Sequence, residues 1–430
     1  MKNFFSIGIA GLGNVGSATV NLIKQNNSLI AKNAGTPIKI IAVSARNKFA
    51  KRNIKIEDFD WEENATALAY RDDIDAVVEL IGGEGGVAKE LIMSSLNNGK
   101  HVITANKALL AKHGNEIKDL VLKKKVGIYY EAAVAAAIPI INAINFGISS
   151  NQINRIQAIL NGTCNFVLSE MKNNNSSFDS ALQKAKDFGF AEVDSSFDID
   201  GIDSSQKLSI LGMLAYSAIP EVEKIYTEGI RNISKVDVYY SEKLGYSVKL
   251  FCIANLQGKS LDFRVHPALI AEDTIASHVS GALNSVFIEG DFCNRLTFIG
   301  EGAGPNPTAS SVVSDIINSA RNRTQTNYSL FSEMKKYNYI SIDDRVGAYY
   351  IRFLVKDIRG VISDITSILN ENSISLDSIV QDSKNKKISK VNIVVITHET
   401  KEKNINKAIE LVNKLESVLE QPRVIRVEKI

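Results

Sequence analysis

The chain predicts an α/β fold in three parts: an N-terminal Rossmann doubly wound domain, an α+β middle domain, and a C-terminal ferredoxin-like βαββαβ module. Three observations carry this. The buried strand "FFSIGIA" runs into the glycine turn "GLGNVG" and then the helical "SATVNLIKQN", the opening of a βαβ unit. Strand-like and helical stretches go on alternating to about residue 135, as a parallel sheet covered on both faces requires. After residue 347 the pattern becomes β-α-β-β-α-β.

The elements follow in order. In the first domain, residues 1–135, the strands are residues 4–10, 38–45, 75–82, 101–105 and 127–134. The middle domain, residues 136–325, mixes the strands "RIQAIL", "SVKLFCIANL", "LDFRVHPALI" and "SVFIEG" with helices around an open sheet, and residues 311–325 read as a helix closing this region. Residues 326–346 are polar enough for a linker. In the last module, residues 347–430, "AYYIRFLV", "SLDSIVQDS", "KVNIVVITH" and "RVIRVEKI" are strands, while "VISDITSILNEN" and "NINKAIELVNKLESV" are helices.

A chain of 430 residues, 45% of them hydrophobic, can build two or three ordinary cores. Its 50 basic and 48 acidic residues nearly cancel, so it lacks the excess positive charge that holds nucleic acid or an anionic membrane, and small molecules become the expected partners. Cys164, Cys252 and Cys293 are too few and too scattered for a disulfide framework or a zinc site, which fits a reduced, cytoplasmic setting. The N-terminal apolar run is too short for a signal-peptide core, and no segment reaches the roughly 20 apolar residues of a membrane span.

In "GLGNVG", Gly11 allows the tight turn, Gly13 lets backbone approach a pyrophosphate, and Gly16 packs helix on strand; Asn14 and Val15, in the same turn, are expected at the cofactor, and the N-terminus of the helix that follows faces the anion. The bland alternative is a glycine-rich turn of any α/β protein. The second strand ends in "VSARNK", where Ser44 and Arg46 stand in place of the acid that would bind an NAD ribose, so NADP is favoured over NAD. In "ITANKALL", Lys107 falls where a strand gives way to a helix: either a ligand-facing cation or a solvated lysine behind the N-cap Asn106. Gly162 and Thr163, in "LNGTCNFVL", follow a strand and offer free amides to a carboxylate, or form a plain loop.

The stretch "EVDSSFDIDGIDSSQKLSIL" sends five acids, Glu192, Asp194, Asp198, Asp200 and Asp203, into Lys207. Positions 203, 207, 210, 211 and 214 fall on one helical face, where Asp203 and Lys207 share a stripe with Ile210, Leu211 and Leu214. Helix stabilisation explains the spacing, through an i,i+4 ion pair and a capping-box variant of Asp203 with Gln206. It does not explain an apolar stripe. A lysine held against apolar surface has a lowered pKa, which suits a proton donor near neutral pH.

These stretches, with "ELIGG", "EAAVAAAIPII" and "GEGAGPNPTASSVV", occur in the order found in homoserine dehydrogenase, and the chain resembles that family over essentially its whole length; "YYIRFLVKDIRGVISDITSILNENSISLDSIVQ" resembles its ACT domain. The resemblance implies NAD(P)H-dependent reduction of L-aspartate 4-semialdehyde to L-homoserine, in threonine and methionine biosynthesis. Lys207 would protonate the aldehyde oxygen, Asp203 would orient it or the substrate, and Lys107 would be a second cation whose nearness depresses both ammonium pKa values. Glu192 would take the substrate's ammonium, and Gly162 and Thr163 its carboxylate. Gly189, Gly302 and Gly304, with Lys107, would approach the cofactor. Glu131 with the carbonyls of Val134, Ala136 and Ile138 would hold a monovalent cation, Na+. Ala136 and Ala137 stand where the family more often has glycine, and Phe190 where tyrosine is common. An amino-acid effector, threonine, would bind at the turn of Asp357 and Gly360, and a homodimer or homotetramer is expected. Two other readings keep "GLGNVG": a different amino-acid dehydrogenase, which needs no paired lysines, and a ligand sensor without turnover, against which intact Lys107, Asp203 and Lys207 argue.

Overall fold

Every position of the strand Phe5–Ala10 is buried, as expected of a strand covered by helices on both faces. In the computed structural model, which describes residues 3–322, 334–381 and 390–430, it lies inside a six-stranded parallel sheet. The order is Asp60–Trp61, Ile38–Ser44, Phe5–Ala10, Ala76–Glu79, His101–Thr104, Ile128–Tyr129. The chain builds outward from the first strand on one side, then crosses to build the other. A crevice therefore opens at the carboxyl ends of the first and fourth strands, where such sheets bind ligands. The expected strand at 127–134 shrinks to Ile128–Tyr129, because the chain enters a 3-10 turn, Glu131–Ala133.

The helix expected at 311–325 begins earlier, as Pro305–Arg321, and does not close the middle domain alone. Val312, Val313, Ile316 and Ala320 enter one hydrophobic core with Phe5, Ile7, Val20 and Ile103. A helix far along the chain thus completes the first domain. Its apolar stripe needed a partner, and the N-terminal sheet provides one.

The middle sheet runs Asn294–Glu301, Leu283–Gly290, Ile153–Ile159, Tyr246–Gln257, Ser260–Ala271. Instead of ending in an open edge it continues: Ala268, Leu269 and Ile270 pair in parallel with Arg426, Val427 and Glu428. The C-terminal strands follow in the order Arg423–Glu428, Tyr349–Lys356, Lys390–Thr397, Leu376–Gln381, the ferredoxin-like arrangement, within a single eleven-stranded sheet. An unpaired edge of Ser260–Ala271 would leave a row of unmade hydrogen bonds. Three segments cover it piecewise: Asn338–Tyr339 beside Ser260–Leu261, Tyr226–Thr227 beside Arg264–Val265, and the C-terminal strand beyond Pro267.

The linker reading of 326–346 falls partly on residues 323–333, outside those described. The rest is built in: Tyr339 meets Phe263 edge-on at 5.8 Å, and the Tyr337 hydroxyl donates to Tyr216 O at 3.1 Å. Residues 382–383 of the expected strand "SLDSIVQDS" also lie outside the described residues. Among the described residues no helix is long and apolar enough to cross a membrane. All three cysteines are free.

Candidate active site

The glycine turn has the geometry its spacing implies. Gly11 has φ +98°, and a Cβ there would come within 2.4 Å of Leu80 O; one on Gly16 would meet Gly11 O at 2.0 Å. A Cβ on Gly13 would meet nothing within 4 Å, so the glycine that must admit a ligand is the one with open space. Helix Asn14–Gln25 starts behind Gly13 without a side-chain cap, leaving its first amides to an anion. Gly11, Gly13, Asn14, Ser44, Arg46 and Pro305 line a cleft of about 1590 Å³. Ser44 is buried and Arg46 exposed at the rim.

Two residues the sequence reading passed over shape this cleft. Glu79, wholly buried, accepts from the amides of Ile81 and Gly82 at 2.8 and 2.9 Å and from the Thr104 hydroxyl at 2.6 Å. Arg52 donates Nε to Leu12 O at 3.1 Å and its other nitrogens to carbonyls of residues 47, 48 and 50, tying the Arg46 loop to the glycine turn. The acid at the end of "VVE" was a visible signal for Glu79. Arg52 had none.

The five acids of the run separate. Asp194 accepts from Ser196 N at 3.0 Å, and Asp200 takes Arg231 through two bonds of 3.0 Å. Glu192 is exposed and hydrogen-bonds none of the cluster residues below. Asp198 accepts from Asn161 Nδ2 at 2.7 Å; burial, then the Asp203 charge, push its carboxyl up. Asp203 is the centre: Oδ2 meets Lys207 Nζ at 2.7 Å and Asn161 Nδ2 at 2.8 Å, and Oδ1 meets Lys107 Nζ at 3.3 Å. Burial would raise the Asp203 carboxyl, but the Lys207 and Lys107 cations and these hydrogen bonds bring it below its ordinary value. The carboxylate stands between the two ammonium groups, where the expectation had them bearing directly on each other.

Helix Ile202–Tyr216 is buried almost all round, not along one stripe only: Ser204, Ser205, Leu208 and Gly212 are inside as well. The capping box does not form, because Gly201 in the left-handed region starts the helix and Asp203 faces the lysines. Lys207 also donates to Leu160 O at 2.8 Å. An ammonium carries three donors, so one remains for a ligand. Lys107 takes the helix-start position behind its N-cap and turns its ammonium to Asp203. It begins helix Lys107–Lys124 behind Asn106, whose Oδ1 accepts from Leu109 N at 3.1 Å, and its half-buried ammonium lies 5.8 Å from the Phe197 ring centroid.

Gly162 and Thr163 open helix Gly162–Asn173, capped by Asn161, whose Oδ1 accepts from Cys164 N at 2.8 Å; the first two amides have no intrahelical acceptor. A Cβ on Gly162 would strike Ala282 O at 2.7 Å. Thr163 donates its hydroxyl to Phe190 O at 2.5 Å, and the Phe190 ring packs 5.0 Å from that of Phe166. Asn161 and Asp198, missed from sequence, link the helix bearing Asp203 and Lys207 to this turn. Gly189 (φ +75°) sits in an open bend, Gly302 packs against Asn284, and Gly304 (φ +117°) precedes Pro305 at the cleft.

Glu131 and Asp315 form a buried acidic site below the first sheet. Glu131 accepts from the amides of Ile141 and Asn142, each at 2.8 Å, and from the Asn142 side chain, while Asp315 accepts from Glu131 N at 2.7 Å. Burial pushes Glu131 up to about 7 and, with the Glu131 charge, holds Asp315 well above its ordinary range. Neither acid is ion-paired among the described residues, a fit for a monovalent cation. Ala135 and Ala136 keep φ at +53° and +27° without glycine. Of the carbonyls expected at the cation, Ala136 O accepts from Ser311 and Ile138 O from Ile140 N at 2.8 Å; carbonyl oxygens retain a second lone pair.

Known families match along the chain. The homoserine dehydrogenase NAD-binding domain matches residues 11–131, homoserine dehydrogenase residues 139–317, and the ACT domain residues 349–417. Homoserine dehydrogenase of Pseudomonas aeruginosa is 38% identical over 99% of both chains, and that of Helicobacter pylori 38% over 100% of both. The crystal structure of a homoserine dehydrogenase from Thiobacillus denitrificans superposes with a TM-score of 0.91 at 38% identity, covering 99% of this chain and 98% of that one. With the dinucleotide cleft, the lysine pair and both chains aligned from end to end, the protein belongs to the homoserine dehydrogenase family of NAD(P)-dependent oxidoreductases.

Proposed function

We propose that Lys207 is the proton donor in the reduction of L-aspartate 4-semialdehyde to L-homoserine. The observation that carries this is a single buried carboxylate, Asp203, fixing two lysines while Lys207 keeps a donor unassigned. Asp203 orients Lys207, and Lys107, on the open side, stabilises charge developing on the carbonyl oxygen. The nicotinamide, when bound, supplies the hydride. In the oxidising direction Lys207 takes the hydroxyl proton back. Gly162 and Thr163 hold the substrate's carboxylate, and Glu192 its ammonium. Gly189, Gly302 and Gly304 border the cofactor; Gly11, Gly13, Asn14, Val15 and Gly16 take its pyrophosphate, and Arg46 at the cleft rim selects NADP through the 2′-phosphate. Glu131 with the carbonyls of Val134, Ala136 and Ile138 holds Na+.

The functional units are residues 1–135, 136–325 and 347–430, and the last one senses threonine at the helix start behind Gly360, in a homodimer or homotetramer. Gly360 has φ +94° and leaves that helix, Val361–Glu371, without a side-chain cap, which supports the reading. Regulation is best tested on the full chain. Removing residues after 340 would uncover the edge of Ser260–Ala271 and leave Arg264 without Glu428. Homoserine oxidation is assayed with NADP and NAD, each with and without millimolar threonine. Preference for NADP and inhibition by threonine are expected. Equal use of both cofactors would discard the Arg46 role, and indifference to threonine the effector role.

A further inference from the structure

We propose that Arg426, in the last strand of the C-terminal module, is a positioning residue for the helix that bears Asp203 and Lys207, acting through residues 226–230. This rests on the catalytic reading of Asp203 and Lys207.

Residues 226–230 touch both parties. Towards the module, Arg426 donates Nη1 to Glu228 Oε2 at 2.6 Å and Nη2 to the Tyr226 hydroxyl at 2.8 Å, with its guanidinium 4.8 Å from the Tyr226 ring centroid. The Tyr226 hydroxyl in turn donates to Glu228 at 3.0 Å. Towards the helix, Ile230 N donates to Ile199 O at 2.9 Å. Gly229 lies so close to the turn before the helix that a Cβ would come within 2.1 Å of Ile199 O and 2.4 Å of Asp200 Cα. Gly201, the helix's first cap, would with a Cβ stand 3.1 Å from Thr227 Cγ2. Asp203 follows two residues later.

Between these contacts the segment has little room to yield. Tyr226 and Thr227 pair with Arg264 and Val265, and Glu228 N donates to Val265 O at 2.8 Å. Close packing of this kind passes on a displacement that a loose loop would absorb. Arg426 is also shared. It bonds Glu402, on helix Glu402–Val412 of the same module, through Nε at 3.0 Å and again through Nη2. A rearrangement of the module that draws Arg426 toward Glu402 weakens its hold on Glu228. The turn carrying Asp203 then loses its support, and misplacement of reacting groups by about 1 Å is enough to cut turnover sharply.

Substituting Arg426 would leave Glu402 buried and unpaired, so the test cuts the link at Glu228, whose side chain is partly exposed. Glu228→Ala, Glu228→Gln and the surface control Glu420→Ala, which removes an acid from Arg352 elsewhere in the same module, are compared by kcat, both KM values and Tm. Glu228→Ala is expected to lower kcat about tenfold with the cofactor KM unchanged. Glu228→Gln keeps an oxygen for Arg426 and Tyr226 and is expected to recover most of that loss. Glu420→Ala is expected to lower Tm comparably without changing kcat. The proposal is overturned if Glu228→Ala leaves kcat as it was, if kcat and cofactor KM move together, or if Glu420→Ala lowers kcat as much. Asp203→Asn separates the two readings. If it abolishes turnover while Glu228→Ala does nothing, only the positioning role of Arg426 fails; if Asp203→Asn is fully active, the catalytic reading fails beneath it.

Discussion

The Lys107–Asp203–Lys207 cluster and the cluster around Glu428 are made of the same groups, a carboxylate with cations in apolar surroundings, yet they are finished differently. Glu428 meets Arg264 at 3.0 Å, Arg345 at 2.9 Å and His266 at 3.4 Å. All four side chains are buried. At Asp203, one lysine keeps a donor in hand and the other is 30% exposed. Burial pushes both carboxyls up, and in both the surrounding groups reverse the shift; for Glu428 the close His266 ring and the charges of Arg345 and Arg264 hold it far below its usual range. A closed cluster joins two domains. One left open on a single side keeps a donor for a ligand, which is what the proposed proton transfer by Lys207 requires.

The comparison breaks most easily at its closed end. Glu428→Ala strands Arg345 in the interdomain seam, leaves Arg264 with Asp262 alone, and is expected to cost about 3–5 kcal/mol in urea unfolding. A loss below about 1 kcal/mol would mean that the arginines find water and the seam is not closed. The pH dependence has a definite sign. Glu428 has a folded pKa below its unfolded value, so its contribution is full above roughly pH 4.5 and fades as pH falls, and Glu428→Gln should flatten the acid limb of the stability curve. At the open end, Lys207→Ala should lower kcat by about a hundredfold or more while the cofactor KM stays near normal, as for a lost general acid. Turnover within a few-fold of the parent would move the proton to another group.

Smaller effects sharpen the boundary between site and scaffold. Arg46→Ala is expected to raise the KM for NADPH about tenfold and leave that for NADH alone, the loss of one charge-assisted contact. Equal rises would make Arg46 a bystander of the loop that Arg52 holds. Replacing tetramethylammonium by Na+ should stabilise the parent chain by about 1 kcal/mol at several times the Kd. In Glu131→Gln that gain should vanish; if it persists, the cation sits elsewhere.

The sequence read well wherever the signal was local. The glycine spacing of "GLGNVG" fixes which glycine must be tight and which open, and an i,i+4 acid and lysine in one helix are bound to be neighbours. It read poorly where a residue's partner lies far along the chain. The helix Pro305–Arg321 looked like the end of the middle domain because only its own amphipathic pattern was visible. The capping box of Asp203 with Gln206 looked plausible because neither Lys107 nor Asn161 could be seen beside it. Asn161 and Asp198 carry no pattern of their own, and their value comes from reaching across between helices.

By itself, then, the order of residues determined the three-part architecture, the dinucleotide turn, the Asp203–Lys207 spacing and, through a run of shared motifs, the family. Tertiary structure alone decided that Lys107 shares Asp203 with Lys207 across a separation of about a hundred residues, and that the C-terminal strand joins the middle sheet at Ala268–Ile270. The physical reason is the same in both cases. Periodicity and turn chemistry act over a few residues and are written in the chain, whereas a buried charge or an open strand edge has a large unmet demand that whichever distant group packing brings near will satisfy.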